Sequence, residues 1–116
     1  MDIDTAVLEN FTLITIKGRI VIGRDVDSAK KELLKIIESV EKNVILDLKN
    51  VTFIDSSGLG ALACLKTAAD LKGTKIALVG LSSQLKRMLE ITGLSEIFET
   101  YSTTEEAAYE LNQKCI

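Results

Sequence analysis

The sequence predicts an α/β domain: a mixed sheet with a parallel core, an N-terminal β-hairpin and about four helices, in the order β-β-α-β-α-β-α-β-α. Three observations predict it. Apolar residues alternate or cluster at short range over 3–8 and 11–17, as in a strand pair. Val44-Ile45-Leu46-Asp47-Leu48 is a mostly apolar run that suits a central strand covered on both faces. Around such runs the apolar spacing lengthens to three and four residues, the period of amphipathic helices.

Each element follows in order. Glu9-Asn10 separates the first two strands, and Asn10 is a residue that tolerates positive φ in a hairpin turn. Gly18 closes the second strand, and residues 19–24 either extend it or form a loop into the first helix. From Asp25, the residues Val26, Ala29, Leu33, Ile36, Ile37 and Val40 define a helix, with Asp25 or Asp27 serving its first turn. Asn43 punctuates before the central strand. Val51-Thr52-Phe53-Ile54 then leads to Asp55-Ser56-Ser57-Gly58-Leu59-Gly60.

A second helix over 57–71 carries Leu62, Leu65 and Ala69 inward, and Gly73 stops it. Residues 75–79 form a short strand ended by Gly80. Ser82 or Ser83 caps a third helix with Leu85, Met88 and Leu89 inward, ended by Gly93. Ile97-Phe98 is the last short strand. Thr103 and Glu106 make a capping box for a final helix with Ala107, Ala108, Leu111 and Cys115 on one stripe.

At 116 residues the chain reads as one domain over 1–116, without proline, repeat or linker. It is 47% hydrophobic but only 4% aromatic, so aliphatic side chains must build the core. A net charge of −3 and scattered lysines give no basic face for nucleic acid. The two cysteines are too far apart for a zinc site, and Cys64, in Ala-Leu-Ala-Cys-Leu, reads as a small buried residue. The Met-Asp-Ile-Asp start lacks a signal-peptide pattern and no apolar run approaches a membrane span. The expected setting is the reducing cytoplasm, without membrane contact.

Catalytic devices are scarce. Without histidine there is no Ser-His-Asp or Cys-His arrangement. A Ser-Lys pair has no supporting pattern. Neither a Gly-x-Ser-x-Gly elbow nor a phosphate-binding loop occurs, and Gly58-x-Gly60 lacks the third glycine of a dinucleotide fingerprint. No enzyme and no cofactor is expected.

Asp55 to Gly60 remains. Read structurally, Ser56 caps the helix and Gly58 allows close packing against the strand. Read functionally, a serine at a helix N-terminus can carry a phosphate without unfolding the helix, because the dipole and free N–H groups stabilise the anion. The added charge, about −1.5 to −2 at neutral pH, changes the surface while Asp55 sharpens the repulsion. Position alone does not choose between Ser56 and Ser57. Strand carboxyl ends converge at one edge of a parallel sheet, so the 55–60 turn and the 18–25 loop are expected to be neighbours.

These residues resemble the STAS domain, specifically the small stand-alone anti-sigma factor antagonists. The resemblance runs through the hairpin, Gly18, 44–48, Phe53-Ile54, the Asp-Ser-Ser-Gly-Leu-Gly segment, Leu78-Val79-Gly80, Leu94 and Ile97-Phe98. It implies partner switching: unphosphorylated, the antagonist binds an anti-sigma factor that is also a serine kinase, and the sigma factor is released. The kinase uses ATP and magnesium to phosphorylate the antagonist, and a PP2C-type phosphatase resets it. By position the acceptor is Ser56, with Asp55, Ser57, Gly58 and Gly18 in the partner-binding surface. Many members carry Gly-x-Leu-Asp after the second strand. Here Gly18-Arg19-Ile20-Val21 stands in its place, and Arg19 and Arg24 add positive charge. The alternative role is a scaffold or accessory subunit of a stress-sensing or transporter assembly, without a phosphorylation switch.

Overall fold

The computed structural model describes residues 2–20 and 24–114. The elements run β1 (Asp2–Val7), β2 (Phe11–Ile20), α1 (Arg24–Ser39), β3 (Asn43–Ile54), α2 (Ser56–Lys72), β4 (Ile76–Val79) and α3 (Ser83–Thr92). A 3₁₀ turn (Leu94–Glu96), β5 (Glu99–Tyr101) and α4 (Thr104–Lys114) complete the order. The sheet has five strands in sequential order β1-β2-β3-β4-β5. β1 is antiparallel to β2, and the remaining pairs are parallel. The predicted α/β class and element order are therefore the observed ones.

Alternation along the central strands divides the core. Val44, Leu46, Leu48, Ile76 and Leu78 face Leu33 and Ile37 of α1, the Leu62-Leu65-Ala69 stripe of α2, and Leu85 and Leu89 of α3. On the opposite face Ile45, Ala77 and Val79 pack against Ala107 and Leu111 of α4. Both faces of β3 are thus covered over its first half, which is why the Val44–Leu48 run tolerates so little polarity. Leu65 is fully buried, and truncating such a leucine to alanine costs about 2–5 kcal/mol.

The helix ends follow local chemistry. Ser82 caps α3, its hydroxyl accepting the Leu85 N–H at 3.1 Å. Gly73 and Gly93 terminate α2 and α3 as expected. Thr103 Oγ1 accepts the Glu106 N–H at 3.1 Å, but the Glu106 carboxylate returns to the Ser102 N–H at 3.3 Å, one residue before the cap. The end of α1 is held from outside: the Lys72 ammonium, near the end of α2, donates to the carbonyls of Ile37, Glu38 and Val40. Orphan carbonyls of a helix C-terminus thereby gain a cationic donor.

Several expectations need correction. Asn10 does not adopt positive φ; among the described residues only glycines do, and a turn over 8–10 joins the hairpin, with the Leu8 N–H bonded to the Phe11 carbonyl at 2.9 Å. Gly18 does not close β2, which continues to Ile20. The 44–48 and 51–54 runs are one strand. The last strand is Glu99–Tyr101 rather than Ile97-Phe98, because Phe98 is drawn into the core and the following polar residues supply the ladder. Cys64 is exposed: on α2 it falls between the inward Leu62 and Leu65 and off their stripe. Val21 and Cys115 lie outside the described residues, as do the side chains of Arg24, Asp25, Val26, Asp27 and Ala29.

Candidate functional site

The site is built where β3 hands over to α2. Ile54, the last strand residue, is buried and anchors the turn. Asp55 follows in an extended conformation (φ −108°, ψ −176°) and is the N-cap. Its carboxylate accepts the Gly58 N–H at 3.0 Å, and its carbonyl accepts the Leu59 N–H at 3.0 Å. A carboxylate at this position satisfies an orphan donor and also complements the positive end of the helix dipole. Ser56 is therefore not the cap, as the structural reading of the sequence had it. It is the first residue of the helix, exposed, and its hydroxyl makes no hydrogen bond among the described residues. Ser57 is half-buried and Gly58 is buried. Gly60 is exposed, and a Cβ built there meets nothing within 4 Å.

Gly18 comes alongside through the β2–β3 ladder. The register pairs Gly18 with Val51, Arg19 with Phe53 and Ile20 with Ile54, so the end of β2 runs beside the strand that enters the Asp55 turn. Two irregularities make this possible. The step from Thr15 to Lys17 on β2 answers that from Asp47 to Asn50 on β3, and the step from Gly18 to Arg19 answers that from Val51 to Phe53. In each, β3 spends one residue more, the signature of a β-bulge. Gly18 sits at the second shift with φ 100°, a conformation that costs glycine little and other residues much.

The bulges also turn a side chain that sequence reasoning had left unassigned. Phe53 is 42% exposed, and the Arg19 guanidinium lies 5.4 Å from its ring centroid. The signal in the sequence was the broken alternation of Lys49-Asn50-Val51-Thr52-Phe53. Phe53 also lines a shallow cleft with Ser82, the N-cap of α3, and with Gln84 and Met88 of that helix.

A second cleft opens at the carboxyl end of β4, beside the middle of β3, lined by Asp47, Lys49, Gly80 and residues 102–105. Asp47 is buried there, accepts the Lys49 N–H at 3.0 Å and lies 3.7 Å from the Lys49 ammonium. Gly80 (φ 73°) closes on Lys49 so tightly that a Cβ would come within 2.7 Å of the lysine Cβ. No group of three or more His, Cys, Asp or Glu among the described residues could hold a metal ion.

The chain that folds this way, with a strand-to-helix Asp-Ser-Ser-Gly turn on a five-stranded sheet, matches the family model for the STAS domain over residues 2–107. The chain belongs to the STAS domain family. Among its relatives, the anti-sigma-B factor antagonist of Listeria monocytogenes is 39% identical over 70 residues, 60% of this chain and 61% of that protein. The match thus spans about three-fifths of the relative's length. The anti-sigma-B factor antagonist of Staphylococcus aureus is 24% identical over 105 residues, 90% of this chain and 96% of that protein. Among solved structures, the anti-sigma factor antagonist SpoIIAA in its unphosphorylated form superposes with a TM-score of 0.79 at 17% identity, covering 97% of each chain. Bacillus SpoIIAA in its phosphorylated form gives 0.71 at 17% identity, covering 94% of this chain and 98% of that one. No helix among the described residues is long and apolar enough to cross a membrane.

Proposed function

We propose that this STAS domain is an anti-sigma factor antagonist and that Ser56 is its phosphorylation switch. One observation carries the reading: Asp55 takes the capping position, leaving an exposed, uncommitted hydroxyl on the first residue of α2. A phosphate there gains the dipole and unpaired N–H groups of the helix end, so the fold tolerates it while the surface acquires about −1.5 to −2 charges. Unphosphorylated, the protein binds an anti-sigma factor serine kinase through Asp55, Ser56, Ser57, Gly58 and the neighbouring Gly18 segment. The kinase draws phosphate from ATP with magnesium. Phosphorylation ends the complex, and a PP2C-type phosphatase restores it. The chain acts as a binding module in the cytoplasm, with no catalysis, nucleic acid or membrane of its own. The names of the Listeria and Staphylococcus relatives support the general role.

The test is incubation with the anti-sigma factor kinase and Mg-ATP, followed by mass-spectrometric mapping. Phosphate is expected on Ser56. Its absence from both Ser56 and Ser57 overturns the reading.

A further inference from the structure

Arg19 has no carboxylate partner among the described residues, where the ion pairs are Lys49–Asp47 and Lys66–Asp70. Its guanidinium rests instead on the exposed ring of Phe53, a weak contact at such an exposed site. The β2–β3 ladder sets Arg19 opposite Phe53, so only Ile54 and Asp55 separate its ladder partner from Ser56 along the chain. A multiply donating cation, without a carboxylate partner among the described residues, thus stands on the strand next to the one that leads into the hydroxyl read above as the phosphate acceptor.

We propose that Arg19 is the internal receptor for a phosphate on Ser56: when the phosphate is present, the guanidinium leaves the Phe53 ring and pairs with the phosphoryl oxygens. This rests on the Ser56 reading and adds its regulation. A planar guanidinium can take two phosphate oxygens at once, and charge-assisted bonds of that kind are about twice as strong as neutral ones. They outweigh an exposed cation–π contact. The other groups facing the phosphate act in both senses: the Asp55 carboxylate opposes the dianion, and the N-terminus of α2 favours it. Lys17 stands further back on β2. Phosphorylation then does more than add an anion. It removes an exposed cation from the surface and uncovers Phe53, so a partner that had read either group loses it.

The experiment uses the full chain with phosphoserine installed at position 56 during translation, so that no kinase is needed. Phosphorus NMR follows the second ionisation of the phosphate against pH. A nearby cation favours the dianion and lowers the midpoint. Arg19→Ala is expected to raise the midpoint by about half a unit or more, Arg19→Lys by less, and Lys17→Ala by clearly less than Arg19→Ala. Arg19→Gln, which keeps part of the stem over Phe53, should match Arg19→Ala. Coincident titrations of the parent and both neutral Arg19 variants overturn the proposal. So does a Lys17→Ala shift as large as that of Arg19→Ala, because the effect would then be diffuse charge. A kinase that leaves Ser56 unmodified would overturn the functional reading without touching this titration, so the two failures are separable.

Discussion

Two helix starts in this molecule carry the same serine pair and use it differently. Before α3 the sequence is Leu81-Ser82-Ser83, and Ser82 spends its hydroxyl on the Leu85 N–H. Before α2 it is Asp55-Ser56-Ser57, and the aspartate makes the corresponding bond to the Gly58 N–H. The difference is one residue of phase. At α3 the first serine is structural; at α2 it is moved inside the helix and released from structural duty. If Ser56 is the switch proposed above, an accessible serine at a helix start is not enough to mark one. What matters is whether another residue has taken the cap.

The contrast can be broken most strongly by removing both caps. Asp55→Ala and Ser82→Ala should each cost about 1 kcal/mol and, at separate helix ends, add to about 2 kcal/mol in urea unfolding. Equal loss from Ser56→Ala would erase the distinction between the two serines. Next comes binding: Ser56→Asp should weaken the proposed complex with an anti-sigma factor kinase at least about tenfold, or about 1.4 kcal/mol, whereas Ser56→Ala should bind constitutively. Equal dissociation constants for the two variants by calorimetry would show the local charge to be irrelevant. Gly60→Ala sharpens the picture further. It faces open space in a helix interior, so it should stabilise the free protein by about 0.5–1 kcal/mol in thermal or urea melts. If its methyl also weakens the complex, that glycine is kept for a partner's approach. The smallest effect is Ser56→Ala on stability itself, within about 0.5 kcal/mol by the same melts, as for a surface residue with no structural bond.

How much of this was legible in the sequence depended on whether the information was local. Asp-Ser-Ser-Gly announces a helix start because capping is a contact between near neighbours, and the Val44–Leu48 run announces a central strand because both faces demand apolar side chains. The choice of cap was not legible, since Asp55, Ser56 and Ser57 are all competent and only the backbone phase decides. The β3 bulges were not legible either. They exist in the pairing of two strands, and without them Lys49-Asn50 looks like a break and the exposure of Phe53 cannot be read. Cys64 was legible in principle: the Leu62-Leu65-Ala69 spacing already leaves it off the stripe, but an unbroken apolar run obscured the phase. Phe98 failed for a tertiary reason, because its ring is needed in the core just before the chain joins the sheet edge.

The Lys72 clasp has a mechanical corollary. Both α1 and α2 begin at the edge where the strands end in their carboxyl direction, and the ammonium of Lys72 ties them together at the far edge. Any relative swing of the two helices pivots about that tether, so displacement grows toward the amino ends and is greatest where Ser56 lies. In hydrogen exchange the closing turns of this pair should therefore outlast the opening ones, and Lys72→Met should level the gradient.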